Sequence, residues 1–369
     1  MRILVVTHHF FEPDTSGKPS VYGSRVDPLA RIAAVNAAFV ALFRHFGPHR
    51  YGRVAGQRLP DDATPARVLD IVVLQAPGKG ILDSIGIDPS LYTLELCDGD
   101  PMMLGFETQR VLRERAGQYD YYAVIEDDMV IHDPLFFDKL AWFEQQFGTT
   151  RLLQPLRYEM AQSGMPALVS SWPIIAAGDL ARWSIRRAGQ PERLSATWHD
   201  HEQSFVLPDN PHVGGFFVSD AQLTHWMSTP WFYDRDTSFV GPLESAMSLS
   251  IGRAFDLYKP SAPDPFFLAI EHWGTRYARN LTPPGKTYGD APLLDIAHEA
   301  IRTRNSVPAS GGEANGNERL SKVLVGSHQS LNALMRERDS FHHQYESLRN
   351  SRSKLLKALL SAILRKTQR

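Results

Sequence analysis

Apolar positions along the chain follow two rhythms. Ile3–Val6, Val68–Leu74 and Tyr121–Ile125 are short, nearly continuous runs rich in β-branched and aromatic side chains, the pattern of strands buried on both faces. Between the first two, Leu29, Ile32, Ala33, Val40 and Phe43 recur at helical spacing. Asp27 stands in cap position there, Pro28 in the first turn, and Gly47-Pro48 at the stop. A second helix is predicted from about Gly105 to Ala116. A third covers Leu135–Phe147, introduced by Asp133-Pro134 and closed by Gly148. Strand and helix alternating in this way predict an α/β fold, a mixed but mostly parallel sheet flanked by helices. Ligands of such sheets bind beyond the carboxyl ends of the strands. Past Arg151 the order loosens: Arg151–Tyr158, Gly215–Val218 and Phe266–Ile270 read as strands, and Gly241–Phe255 as a helix.

Composition narrows the class. With 43% hydrophobic and 22% charged residues among 369, the chain is globular rather than disordered. Lys plus Arg (39) nearly balances Asp plus Glu (41), which argues against a nucleic-acid partner. No run of roughly 18 apolar residues is seen, so no bilayer crossing is expected. The lone Cys97 excludes an internal disulfide framework, and the apolar start is too short for a signal peptide; both lead to a cytoplasmic expectation.

The charge is unevenly spread. Residues 318–369 carry 11 Lys/Arg against 4 Asp/Glu, leaving about −9 for residues 1–317. Between them, Ser306–Asn317 is small, turn-forming and poorly hydrophobic. The expected division is a catalytic domain over 1–304, a flexible linker over 305–317 and a helical basic tail over 318–369. In the tail, Leu355, Leu356, Leu359, Leu360 and Ile363 form one apolar stripe bordered by Lys354, Lys357, Arg365 and Lys366. That suits an anionic membrane surface, with self-association or docking on the body as alternatives.

Chemistry concentrates at Glu126-Asp127-Asp128. Three consecutive acids end a strand of Tyr, Ala, Val and Ile, which is costly unless they meet water, a cation or a positive ligand. Residues two apart on an extended chain share a side, so Glu126 and Asp128 converge while Asp127 points away. Two oxygen ligands on one side suit Mg²⁺ or Mn²⁺, with positions left for phosphate oxygens. Thr7 and His8 at the first strand's end can reach a nucleoside through backbone groups, and Lys18, Arg25 and Arg31 are candidates for donor phosphate.

An opening strand followed by an apolar strand that ends in this acidic motif resembles the GT-A glycosyltransferases. In that family a D-x-D-like motif holds Mn²⁺ or Mg²⁺ against the diphosphate of a nucleotide-sugar donor. The match here is Glu126-Asp127-Asp128, with Glu in the first place, and all three residues enter the expected site, Asp127 with the cofactor-binding set. The resemblance, over about residues 1–280, further implies a Rossmann-related sheet and a nucleoside contact at Asp98-Gly99-Asp100, hence Asp98 and Asp100. It implies an acceptor region at Asn210–Phe217, a catalytic base at Glu244 and a late metal ligand at His272. The tail's Leu348–Leu355 stretch resembles the ends of bacterial enzymes that build surface polysaccharides. The resulting expectation is metal-dependent transfer of a sugar from a nucleotide sugar to a glycan or lipid-linked acceptor, at the inner membrane face.

Two other classes stay open. One is a hydrolase in which Asp/Glu pairs, or the run Trp198-His199-Asp200-His201-Glu202, activate water. That run is rich in zinc-type ligands, but no helix fixes their spacing, and a solvated loop is the expectation. The other is a non-catalytic carbohydrate-binding or scaffold protein.

Overall fold

The computed structural model describes residues 1–13, 28–47, 53–54, 57–58, 68–160, 166–169, 177–274 and 278. All belong to the first of the chain's two units, Met1–Asn305. The linker and basic tail lie outside them, as do Lys18, Arg25 and Asp27.

The chain begins with β1 (Arg2–His9), α1 (Pro28–Phe46), β2 (Val68–Gln75), β3 (Thr93–Leu96), α2 (Leu104–Glu114) and β4 (Tyr121–Glu126). There follow β5 (Met129–Val130), α3 (Phe136–Phe147), β6 (Arg151–Leu153), β7 (Leu156–Met160), β8 (Pro166–Leu168) and α4 (Ala177–Arg182). Next come the hairpin β9 (Arg193–Trp198) and β10 (His201–Val206), then β11 (Gly215–Ser219) and α5 (Asp220–Met227). One turn of helix, α6 (Pro242–Glu244), widens into π-helix over Ser245–Leu249 and resumes as α7 (Ser250–Ala254), before β12 (Asp256–Pro260) and β13 (Ala269–His272).

The central sheet has the order β11-β4-β1-β2-β3. Its last four strands are parallel, and β11 runs antiparallel to β4. From β1 the chain steps outward through α1 to β2 and β3, then returns through α2 to β4 on the other side of β1. Strand order therefore reverses between β1 and β4, which opens a crevice at their carboxyl ends.

Both faces of this sheet are covered, as the continuous apolar runs require. Ile3, Val5, Ile71, Val73 and Ile125 pack with Val35, Phe39 and Leu42 of α1 and Phe136 and Phe137 of α3. Leu4, Val6, Val72, Leu74 and Val124 pack with Phe106 and Leu112 of α2, Trp226 of α5 and Met247 of the π-helical stretch. Each such large apolar side chain contributes roughly 1.5–3 kcal/mol by leaving water. By length and composition α1 could cross a membrane, contrary to the expectation that no segment reaches that length. Here it buries Val35, Ala38, Phe39, Leu42 and Phe46.

The outer half departs from expectation in three places. The strand predicted over Arg151–Tyr158 is two strands in different sheets, broken at Pro155, which has no N–H to give a ladder. Its halves join the sheets β9-β10-β12-β6 and β8-β7-β13-β5. The strand predicted over Phe266–Ile270 starts at Ala269 and reaches His272. Trp198–Glu202 is the tip of the β9–β10 hairpin rather than a free loop, with His199 turning at φ 48°. The fold is thus mixed α/β: four of the five central strands are parallel, and each outer four-stranded sheet holds one parallel pair, β6–β12 and β7–β13, among antiparallel ones.

Candidate functional site

The register of the central sheet sets His8, near the end of β1, beside Glu126, the last residue of β4. The acidic triplet thereby lies in the crevice where strand order reverses, and its members part company there.

Asp127 turns inward and is 2% exposed. His9 Nδ1 lies 2.5 Å from its Oδ2, and Arg31 of α1 donates to its Oδ1. The His9 tautomer follows from its other nitrogen: Nε2 accepts the Ile81 N–H at 3.0 Å, so Nδ1 carries the proton given to Asp127. Burial alone would raise the Asp127 pKa, but the Arg31 charge and the His9 hydrogen bond bring it down to about 2. Arg31 also reaches Asp128 Oδ2 at 2.7 Å, so one guanidinium spans both aspartates.

Glu126 and Asp128 have the opposite surroundings. No hydrogen bond reaches the Glu126 carboxylate among the described residues; its nearest cationic-type neighbour is His212 Nε2 at 3.7 Å. Asp128 Oδ1 is buried without a partner, and so is Glu244 Oε2. Burial, then the charge of Asp128, with a further push from Glu244, raise Glu126 to about 7 against the opposing Arg157 and His272. Buried carboxylate oxygens without donors are costly, and several in mutual repulsion are more so. A divalent cation, or a ligand rich in donors, relieves both costs.

Local backbone chemistry brings these groups together. Gly241 is extended and Pro242 opens α6, so Glu244 comes in the first turn. The following π-helical stretch keeps Ser248 Oγ within 3.1 Å of His212 Nδ1, and insertions of this kind often mark functional sites. Gly105 lets α2 approach this helix, since a Cβ there would stand 2.9 Å from Ala246 Cβ. Gly214 sits at φ 77°, accepts the Glu126 N–H at 2.8 Å, and would set a Cβ 3.3 Å from Glu126 Oε2. The Gly-rich segment expected near an acceptor therefore borders Glu126.

The sheet β8-β7-β13-β5 supplies the remaining groups. β7 buries Arg157 and Glu159 while leaving Leu156 and Tyr158 half-buried, the reverse of the usual strand. Glu159 Oε1 lies 2.7 Å from His272 Nδ1, and its Oε2 accepts the Ala278 N–H at 2.7 Å. His272 Nε2 is 3.7 Å from Asp128 Oδ2. Burial would lower the His272 pKa, but Asp128, Glu159 and Glu126 outweigh it and leave the group raised. His8 and His212 are kept neutral, chiefly by burial, His8 with its pKa down to about 4.

The other expected residues lie farther out. Thr7 is buried in β1, its hydroxyl without a partner. Asp98 and Asp100 are exposed just past β3 at the sheet's edge, and Asp100 caps a short turn through the Met102 N–H at 2.9 Å. His199 and Asp200 are exposed at their hairpin tip. Asp127 braces the crevice from inside rather than facing it, in keeping with alternation along a strand. Two site residues went unforeseen, His9 and Glu159; His8 and His212 stood in the segments expected to meet nucleoside and acceptor. Charged residues at both buried positions of β7 are the one pattern that could have signalled Glu159.

Among the described residues, no group of three or more His, Cys, Asp and Glu side chains is placed to hold a metal ion by itself. Neither family models nor curated proteins give a match to the chain.

Proposed function

We propose that the chain is a glycosyltransferase of GT-A type that uses a nucleoside-diphosphate sugar and a divalent cation. The supporting observation is the pair of buried oxygens, Asp128 Oδ1 and Glu244 Oε2, beside the Glu126 carboxylate, none of which meets a donor among the described residues. Two carboxylates suit Mg²⁺ or Mn²⁺, which commonly take one or two and leave the remaining positions to water and substrate phosphate. Glu126 and Asp128 would hold the ion, with His272 beside them. When bound, the ion supplies positive charge against the departing diphosphate.

The chain's own residues account for the other half of the reaction. Glu244 takes the proton from the acceptor hydroxyl as that oxygen bonds to the sugar's anomeric carbon. The bond from that carbon to the diphosphate oxygen breaks, and the nucleoside diphosphate leaves with the electron pair. Asp127, fixed by His9 and Arg31, holds the strand end rigid through the exchange. The composition of the tail favours an acceptor at a membrane surface, a glycan or a lipid-linked sugar.

A thermal-shift panel with UDP and GDP, with and without Mn²⁺, tests the reading on wild type and Asp128→Asn. Stabilisation by nucleotide is expected to require Mn²⁺ and to vanish in the variant. An equal shift in both proteins, or none in wild type with either nucleotide, would contradict it.

A further inference from the structure

We infer that Glu159 is a positioning residue that sets His272 as a ligand for the divalent cation, an inference resting on the metal-dependent reading above. Glu159 is completely buried on the inverted face of β7, where a carboxylate is retained only if its oxygens are fully used. One oxygen meets His272 Nδ1 and the other holds the Ala278 N–H, each at 2.7 Å. A carboxylate on Nδ1 makes that nitrogen the protonated one. The lone pair is then on Nε2, the nitrogen that looks toward Asp128. Carboxylate-to-histidine contacts of this kind fix the ring's rotation and raise its basicity toward a metal. β7 and β13 are parallel neighbours with Tyr158 opposite Glu271, so the pairing is built into the sheet rather than a loop.

The test is a double-mutant cycle read as Mn²⁺ affinity in the presence of UDP or GDP, by isothermal titration or by the electron paramagnetic resonance of free Mn²⁺. The four proteins are wild type, Glu159→Gln, His272→Ala and the double variant, each checked for its thermal midpoint. Glu159→Gln is expected to weaken Mn²⁺ by about 10–100-fold. In the His272→Ala background the same change is expected to cost almost nothing. Equal losses in both backgrounds would make Glu159 a purely structural residue and overturn the inference. Unchanged affinity in Glu159→Gln would also overturn it, while leaving the metal reading intact. Failure of wild type to bind Mn²⁺ would remove the metal reading itself, and this inference with it. Should Glu159→Gln not fold, ¹⁵N-histidine spectra of wild type decide: Cd²⁺ is expected to shift His272 Nε2, whereas a shift at Nδ1 alone would be contrary.

Discussion

The two sides of one strand end carry the same chemistry in opposite condition. On the inner side, Asp127 has both oxygens satisfied by His9 and Arg31. On the outer side, among the described residues, no donor reaches the Glu126 carboxylate, and Asp128 and Glu244 each keep one buried oxygen unmatched. The pKa values diverge accordingly, to about 2 for Asp127 and about 7 for Glu126. A saturated carboxylate braces a structure, whereas an unsaturated group of them stores a demand for positive charge. Desolvation pushes both pKa values up, so the opposite directions come from the partners.

Four substitutions sharpen or break this contrast, in falling order of effect. Asp127→Ala strands His9 in the interior, leaves Arg31 with Asp128 alone, and is expected to lose about 3–5 kcal/mol in urea unfolding. A loss below about 1 kcal/mol would erase the contrast. Glu126→Gln is expected to act in the other direction. In metal-free protein at pH 8 it should gain about 1–3 kcal/mol, because ionising Glu126 opposes folding. Between pH 4.5 and 7 the folded state keeps a proton that the unfolded chain has released, so wild-type stability from this group falls as pH rises through that window. The gain should therefore disappear near pH 4. For Asp127 the sign is reversed: its contribution is complete above about pH 4 and is lost as pH falls toward 2.

Gly214→Ala forces a side chain into left-handed backbone against Glu126 and is expected to cost about 1–2 kcal/mol. The smallest effect belongs to His132→Ala. His132 Nε2 lies 2.5 Å from Glu271, a second His–Glu pair, but the imidazole is 49% exposed. Water takes over there, and less than 1 kcal/mol is expected to change.

Much of the central sheet was legible in the sequence because its strands are buried on both faces and so read as unbroken apolar runs. Helix α3 was equally plain: Asp133 Oδ1 accepts the Leu135 N–H at 2.8 Å, and Gly148 at φ 88° ends the helix. The acidic triplet was readable as chemistry for the same reason, since nothing in a buried parallel strand explains three acids. β7 was not. Its apolar residues are the half-buried ones, and its Arg157 and Glu159 the buried ones, so alternation gives the wrong face. His9 escaped, and Arg31 was expected at a donor phosphate rather than on Asp127, because these contacts span 118 and 96 residues of sequence. Local pattern cannot show that Asp127 is saturated and Glu126 is not.

The most direct test of the central claim is anomalous diffraction from crystals grown with Mn²⁺ and UDP or GDP. The account predicts a manganese peak between the Glu126 carboxylate and Asp128 Oδ1, with a phosphate oxygen completing its coordination. It would be contradicted by nucleotide bound with no peak there and Asp128 still held by Arg31 alone.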